Sequence, residues 1–184
     1  MRTELLMAGF GGQGVLFMGD LVARTALAQG LNVTYMPTYG VAMRGGTANC
    51  VVIMADETIG SPVMDTPDAA IILNQQSFDK FQPLVKKGGM IVANAAMVAE
   101  KTFGRESELR LVMVPATDIS REVTGRELAT NMAALGAYLA ADPTLSYDMV
   151  ESTLRANLDP SKHALLEPNL NTIRAGMEAV AAQT

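Results

Sequence analysis

Two residue types on which much enzyme chemistry depends are almost missing from this chain of 184 residues, which has one cysteine, Cys50, and one histidine, His163. A single cysteine excludes an internal disulfide and points to a reducing cytoplasm. It also excludes an iron–sulfur cluster held by this chain alone, since a cluster takes about four cysteine ligands. Cys50 and His163 lie far apart in sequence and are too few for a zinc site built from cysteine and histidine. His163, between Lys162 and Ala164 near a turn, reads as an ordinary surface or helix-start residue. Acid–base chemistry therefore has little to work with. Any redox step in which this protein takes part must be carried by something else.

Charge is scarce as well. Charged residues make up 18% of the chain, below the usual share of about 25%, as expected of either a small polar surface or a surface partly covered by other chains. A net charge of −5 without clustered Lys and Arg argues against nucleic-acid binding. No run of like charge forms an interaction tail. No apolar run approaches the ~18 residues of a membrane span. Glu4 and the glycines from Gly11 interrupt the N-terminal stretch too early for a signal peptide. A cytoplasmic chain away from the membrane is expected.

What is present is apolar: hydrophobic residues make up 49%, enough for one α/β domain over 1–184. Leu5 to Ala8 reads as a buried first strand, followed by a glycine-rich stretch and a helix from Val15 to Gln29, capped by Gly30. That helix carries apolar residues on more than one face, and only Asp20 and Arg24 form a clear polar stripe. It is more buried than one sheet surface demands. Further strands are expected at Leu31–Met36, stopped by Pro37, and at Ala48–Ala55, Ala69–Leu73, Met90–Ala93 and Leu109–Val114. Helices are expected at Ser77–Val85, Asp118–Thr124, Ala129–Ala140, Tyr147–Asn157 and Leu166–Ala182. The alternation predicts a Rossmann-like, three-layer α/β fold: a mainly parallel sheet flanked by helices, with a helical C-terminal part.

Gly9-Phe10-Gly11-Gly12-Gln13-Gly14 fits the G-x-G-x-x-G pattern between a strand and a helix. Glycines there permit a tight turn and close backbone approach, and the helix start offers free N–H groups to an anion. Two roles are open: an anion or nucleotide cradle, or packing of the first helix onto the sheet. A dinucleotide site would add an acid about 20 positions on. Here the second strand ends in Thr34-Tyr35-Met36-Pro37-Thr38, and the next acid after Asp20 is Asp56. A second segment, Tyr39 to Asn49 (YGVAMRGGTAN), follows that strand. Arg44 beside Gly45 and Gly46 could clamp an anion with its planar donors, or pair with a carboxylate on this chain or a neighbour. Tyr39 could be a core aromatic whose hydroxyl reaches the surface. The 13 methionines suit either core filling or an adaptable binding surface.

Together GFGGQG and YGVAMRGGTAN resemble the gamma subunit or domain of 2-oxoacid:ferredoxin oxidoreductases. Ile59-Gly60-Ser61-Pro62, Leu73-Asn74-Gln75, Gly88-Gly89 and Asn131 to Gly136 fall where that family has similar stretches. The resemblance covers residues 1 to about 140 and continues in outline to the C-terminus. It implies a non-catalytic subunit that packs against alpha and beta partners, with a ferredoxin-like delta subunit in some complexes. The whole complex would decarboxylate a 2-oxoacid, 2-oxoglutarate or pyruvate, on thiamine diphosphate. Electrons would pass through iron–sulfur clusters to ferredoxin, and the acyl group to coenzyme A. The thiamine diphosphate and the clusters would sit on the partners, and this chain in the coenzyme A region. A ligand or interface role is carried onto Gly9, Gly11, Gly12, Gln13 and Gly14, and onto Tyr39, Arg44, Gly45, Gly46 and Thr47. No catalytic residue transfers. Where the family often has Pro-Glu this chain has Val41-Ala42, which removes a polar contact. The competing expectations are a stand-alone nucleotide-dependent dehydrogenase, favoured by the glycine loop alone, and an assembly scaffold without a ligand.

Overall fold

A computed structural model describes residues 1–39, 46–64, 66–99, 105 and 107–182, with Tyr39 described in its backbone only. Its strands are β1 (Arg2–Phe10), β2 (Asn32–Tyr39), β3 (Thr47–Ala55), β4 (Ala69–Ile72), β5 (Met90–Asn94) and β6 (Arg110–Val114). Its helices are α1 (Val15–Ala28), α2 (Gln75–Phe81), α3 (Ala116–Thr124), α4 (Thr130–Ala141), α5 (Tyr147–Asn157) and α6 (Leu166–Ala181).

The strands form one sheet in the order β2-β3-β1-β4-β5-β6. Period-two alternation sends successive side chains to opposite faces, and both faces here are covered. Leu5, Met7, Ala69, Ile71 and Val92 pack under α1, α3, α4, α5 and α6. Leu6, Ala8, Ala70, Ile72, Ile91 and Ala93 pack under Phe78 and Phe81 of α2. The expected three-layer α/β fold with a helical C-terminal part is what forms. α4 is buried all round, from Thr130 to Leu139, because it lies between the sheet, α3 and α6. Its contact with α6 is backbone on backbone. A Cβ on Gly136 would collide with the carbonyl of Ile173, and one on Gly176 with the carbonyl of Ala133.

The sheet is mixed where a mainly parallel one was expected. β1, β4, β5 and β6 run parallel, but β3 runs antiparallel to both β1 and β2. Residues 40–46 are too few for a crossover helix, so the chain must reverse there. Pro37 does not end β2 as expected: the register continues through Pro37↔Cys50 to Tyr39↔Ala48. β2 is an edge strand, where one side of the backbone has no partner and a missing N–H is tolerated. The helix expected at Ser77–Val85 ends at Phe81, and Pro83 lies in a short 3-10 turn. Gly30 follows the end of α1 with φ +85°, and its N–H donates to Leu27 O, which is the glycine stop expected there.

Candidate functional site

The glycine loop sits at the C-terminal end of β1, beside the point where the strand order reverses. From β1 the chain builds towards β3 and β2 on one side, and towards β4, β5 and β6 on the other. Ligands of open α/β sheets gather in the crevice at such a point.

The glycines of the loop are under different constraints. A Cβ on Gly9 would meet Gln13 Oε1 at 2.7 Å, Val15 Cγ2 at 3.0 Å and Leu73 Cβ at 3.2 Å, so packing accounts for Gly9. Gly14 caps α1 with φ +72°, and a Cβ there would stand 2.5 Å from Asn131 Nδ2. Gly12 has φ +96° but open space around it. Gly11 has neither constraint: a Cβ would make only an ordinary 3.7 Å contact with Gly46 O. Gly9 and Gly14 therefore hold the fold together, while Gly11 and Gly12 are exposed on open backbone. No acidic side chain occupies the first turn of α1, and Gly14 brings no capping side chain. The leading N–H groups are left for an anion or a partner.

The second segment arrives at the same place. β2 runs in the same direction as β1, so its end at Tyr39 and the start of β3 lie at the sheet end that carries the glycine loop. Gly11 N donates to Gly46 O at 2.9 Å, and Phe10 pairs with Thr47. Gly46 and Thr47 are thereby joined to Gly9–Gly14. The side chain of Tyr39, and all of Arg44 and Gly45, lie outside the described residues.

Gln13 is largely spoken for within the chain. Its Oε1 accepts from Phe10 N at 2.6 Å and from Asn74 Nδ2 at 3.2 Å, while Nε2 lies 3.5 Å from Met97 Sδ. Asn74 in turn caps α2, accepting from Ser77 N at 2.9 Å. On the far side of the loop, Asn131 Nδ2 donates to Gly14 O at 3.0 Å. Two asparagines to which sequence reasoning assigned no role thus pin the loop from α4 and from the end of β4. The available signal was the oddity of an amide within an apolar run, Asn74 after Ala-Ala-Ile-Ile-Leu and Asn131 ahead of Met-Ala-Ala-Leu.

Below the loop, Cys50 is fully buried, and its thiol donates to Val15 O at 3.6 Å. Burial pushes the thiol up to about 12, so it stays protonated and cannot serve as a nucleophile or metal ligand. His163 Nε2 lies 3.2 Å from Leu158 O, in the 3-10 turn before α6. Among the described residues no group of three His, Cys, Asp or Glu could hold a metal ion, and no helix is long and apolar enough to cross a membrane. A dinucleotide site would place its acid at the tip of the parallel strand next to β1. On the α1 side that neighbour is β3, which begins rather than ends there, with Thr47 and Ala48 in place of an acid.

Comparison with known proteins gives relatives along almost all of the chain. It is 37% identical over 179 residues to ketoisovalerate oxidoreductase subunit VorA of Methanothermobacter marburgensis, covering 96% of this chain and 36% of that one. The chain thus spans about a third of the length of that relative. It is 30% identical over 184 residues to 2-oxoglutarate synthase subunit KorC of the same organism, covering 98% of this chain and 97% of the relative. The crystal structure of the keto/oxoacid ferredoxin oxidoreductase gamma subunit from Geobacter sulfurreducens superposes with a TM-score of 0.84 at 26% identity, over 99% of this chain and 98% of that one. Residues 4–179 match a single family model, and the chain belongs to the pyruvate ferredoxin/flavodoxin oxidoreductase family.

Proposed function

We infer that this chain is a gamma-type subunit of a 2-oxoacid:ferredoxin oxidoreductase, without a complete active site of its own. The observation that carries the reading is the end-to-end correspondence with KorC, a subunit of nearly the same length. The chemistry of the chain agrees. Its one cysteine cannot supply the ligands of an iron–sulfur cluster; the clusters, together with thiamine diphosphate, are assigned to alpha- and beta-type partners, with ferredoxin taking the electrons. The chain folds as one domain over 1–184 and works in the cytoplasm.

The exposed backbone of Gly11 and Gly12, the open start of α1, and Gly46 and Thr47 joined to them by hydrogen bonds make the part of the chain suited to an anion. We assign it to the coenzyme A region of the complex, with Gly9, Gln13 and Gly14 shaping the loop and Tyr39, Arg44 and Gly45 completing it. Coenzyme A carries phosphates, which helix N–H groups and an arginine bind well. For the substrate we take 2-oxoglutarate, because the relative matched along its whole length is named for that reaction. Ketoisovalerate is the competing substrate, from the relative with the higher identity.

The test is anaerobic purification of the tagged chain from its native host. Recovery of partner subunits with thiamine diphosphate, iron and sulfide, and dye reduction driven by 2-oxoglutarate and coenzyme A, is the expected result. A lone chain with no such partners overturns the reading. Faster reduction with ketoisovalerate or pyruvate would correct the substrate alone.

A further inference from the structure

Beginning beside Gly14 at the end of the glycine loop, two hollows of about 190 and 430 Å³ run together along the helical side of the molecule. They share Leu128, Leu165 and Asn169, and extend from Gly14 and Phe17 on α1 to Val123 near the end of α3. Large apolar side chains lie open along this groove: Leu128 is 73% exposed, Leu165 50%, Phe17 38% and Val123 37%.

The most exposed of them is held out by a well-tied loop. α3 stops at Gly125, with φ +72°. The buried Ser120 donates from Oγ to Arg126 O at 2.6 Å and accepts from Ala129 N at 3.0 Å. Thr124 Oγ1 accepts from Arg126 N at 3.2 Å, and Thr130 Oγ1 donates to Glu127 O at 2.8 Å. Arg121 holds the Glu127 carboxylate. A loop fixed at both ends therefore presents a leucine to water, an arrangement that favours binding because little order remains to be imposed. Exposed apolar clusters rimmed by polar groups mark interaction sites.

The rim has one sign. Arg126 and Lys162 line the groove and no carboxylate does. Among the described residues neither makes a salt bridge, although Asp159, whose carboxyl is held low first by Ser161, also feels the charge of Lys162. A two-fold dimer through this face would set Arg126 and Lys162 of one copy against those of the other. In the VorA relative, moreover, the region matching this chain is only 36% of the polypeptide, so it has further chain as a built-in neighbour.

We propose that the groove between Phe17, Val123, Leu128 and Leu165 docks an acidic, apolar-faced segment of the partner polypeptide that corresponds to the further chain of VorA, with Arg126 and Lys162 pairing its carboxylates. This rests on the gamma-subunit reading above. It adds which face is covered and the chemistry of what covers it.

The experiment co-expresses the tagged chain with the complex's other subunits, as wild type, Leu128→Asp and the double variant Arg126→Glu/Lys162→Glu. Partner subunits and thiamine diphosphate recovered per tagged chain are measured, alongside thermal melting and the solution mass of each isolated chain. Leu128→Asp is expected to cut recovery about tenfold, and the charge reversal to weaken it most at low salt. Melting should stay unchanged, since these side chains are exposed. Unchanged recovery with both variants overturns the docking face and leaves the gamma-subunit reading standing. A wild-type chain that brings down no partner overturns both. An isolated wild-type dimer that Leu128→Asp dissolves, with complex recovery intact, assigns the face to a second copy and overturns the proposal.

Discussion

Within the glycine loop, neighbouring residues of the same type answer to different forces. Alanine at Gly14 meets both a left-handed φ and Asn131 Nδ2, so Gly14→Ala should lower stability by about 2 kcal/mol in urea unfolding. Gly11→Ala, with open space above it, should change stability by less than about 0.5 kcal/mol while disturbing whatever binds there. A stability loss at Gly11 equal to that at Gly14 would mean the loop is packing alone. Cys50 gives a second residue-scale expectation. In the fold its thiol ionises only near 12, against 9.0 for an ordinary thiol. Stability is therefore indifferent to this group below pH 9 and falls as pH rises from 9 towards 12, by about 1.4 kcal/mol per unit, because only the unfolded thiol can release its proton there. A thiol reagent at pH 8 should label the native chain far more slowly than the denatured one; equal rates would contradict the burial. The glycine motif itself was legible because strand, loop and helix are contiguous in sequence. The asparagine pins were not: Asn131 reaches Gly14 across 117 positions and Asn74 reaches Gln13 across 61, so only the folded chain brings them together.

Among the elements, α4 and α6 make the tightest contact. Gly136→Ala and Gly176→Ala each drive a methyl into a carbonyl of the facing helix. Each should cost about 3 kcal/mol, because backbone cannot step aside as a side chain can; a midpoint in urea within error of wild type would refute that packing. The helices were readable from their apolar spacing, and α3 to α6 lie within a few residues of where that spacing puts them. Strand direction was not readable in the same way. The β-branched run from Val51 to Ile53 says that a strand is buried, and nothing in it says which way the strand points. The decision lay in residues 40–46, a connection too short to cross the sheet. Pro37 misled for a related reason, since it forbids a central strand and the composition of β2 does not reveal that β2 is an edge.

For the molecule as a whole, the reversal of β3 weighs against the dehydrogenase reading more heavily than the missing acid does. It puts an antiparallel strand between β1 and β2, where a dinucleotide site needs a parallel one. Calorimetric titration of the isolated chain with NAD should give no binding heat, and sub-millimolar affinity would overturn this. The apolar groove of α1, α3 and α6 was foreshadowed by low charge and by a first helix with too many apolar faces, but its position required the fold. The edge at β2 bears on the life of a chain that is made before it meets its partners. An open strand edge invites copies to add on, strand after strand, into insoluble ribbons. The pyrrolidine of Pro37 stands in the row of donors that such growth would use. A subunit waiting for assembly is thus kept from templating itself.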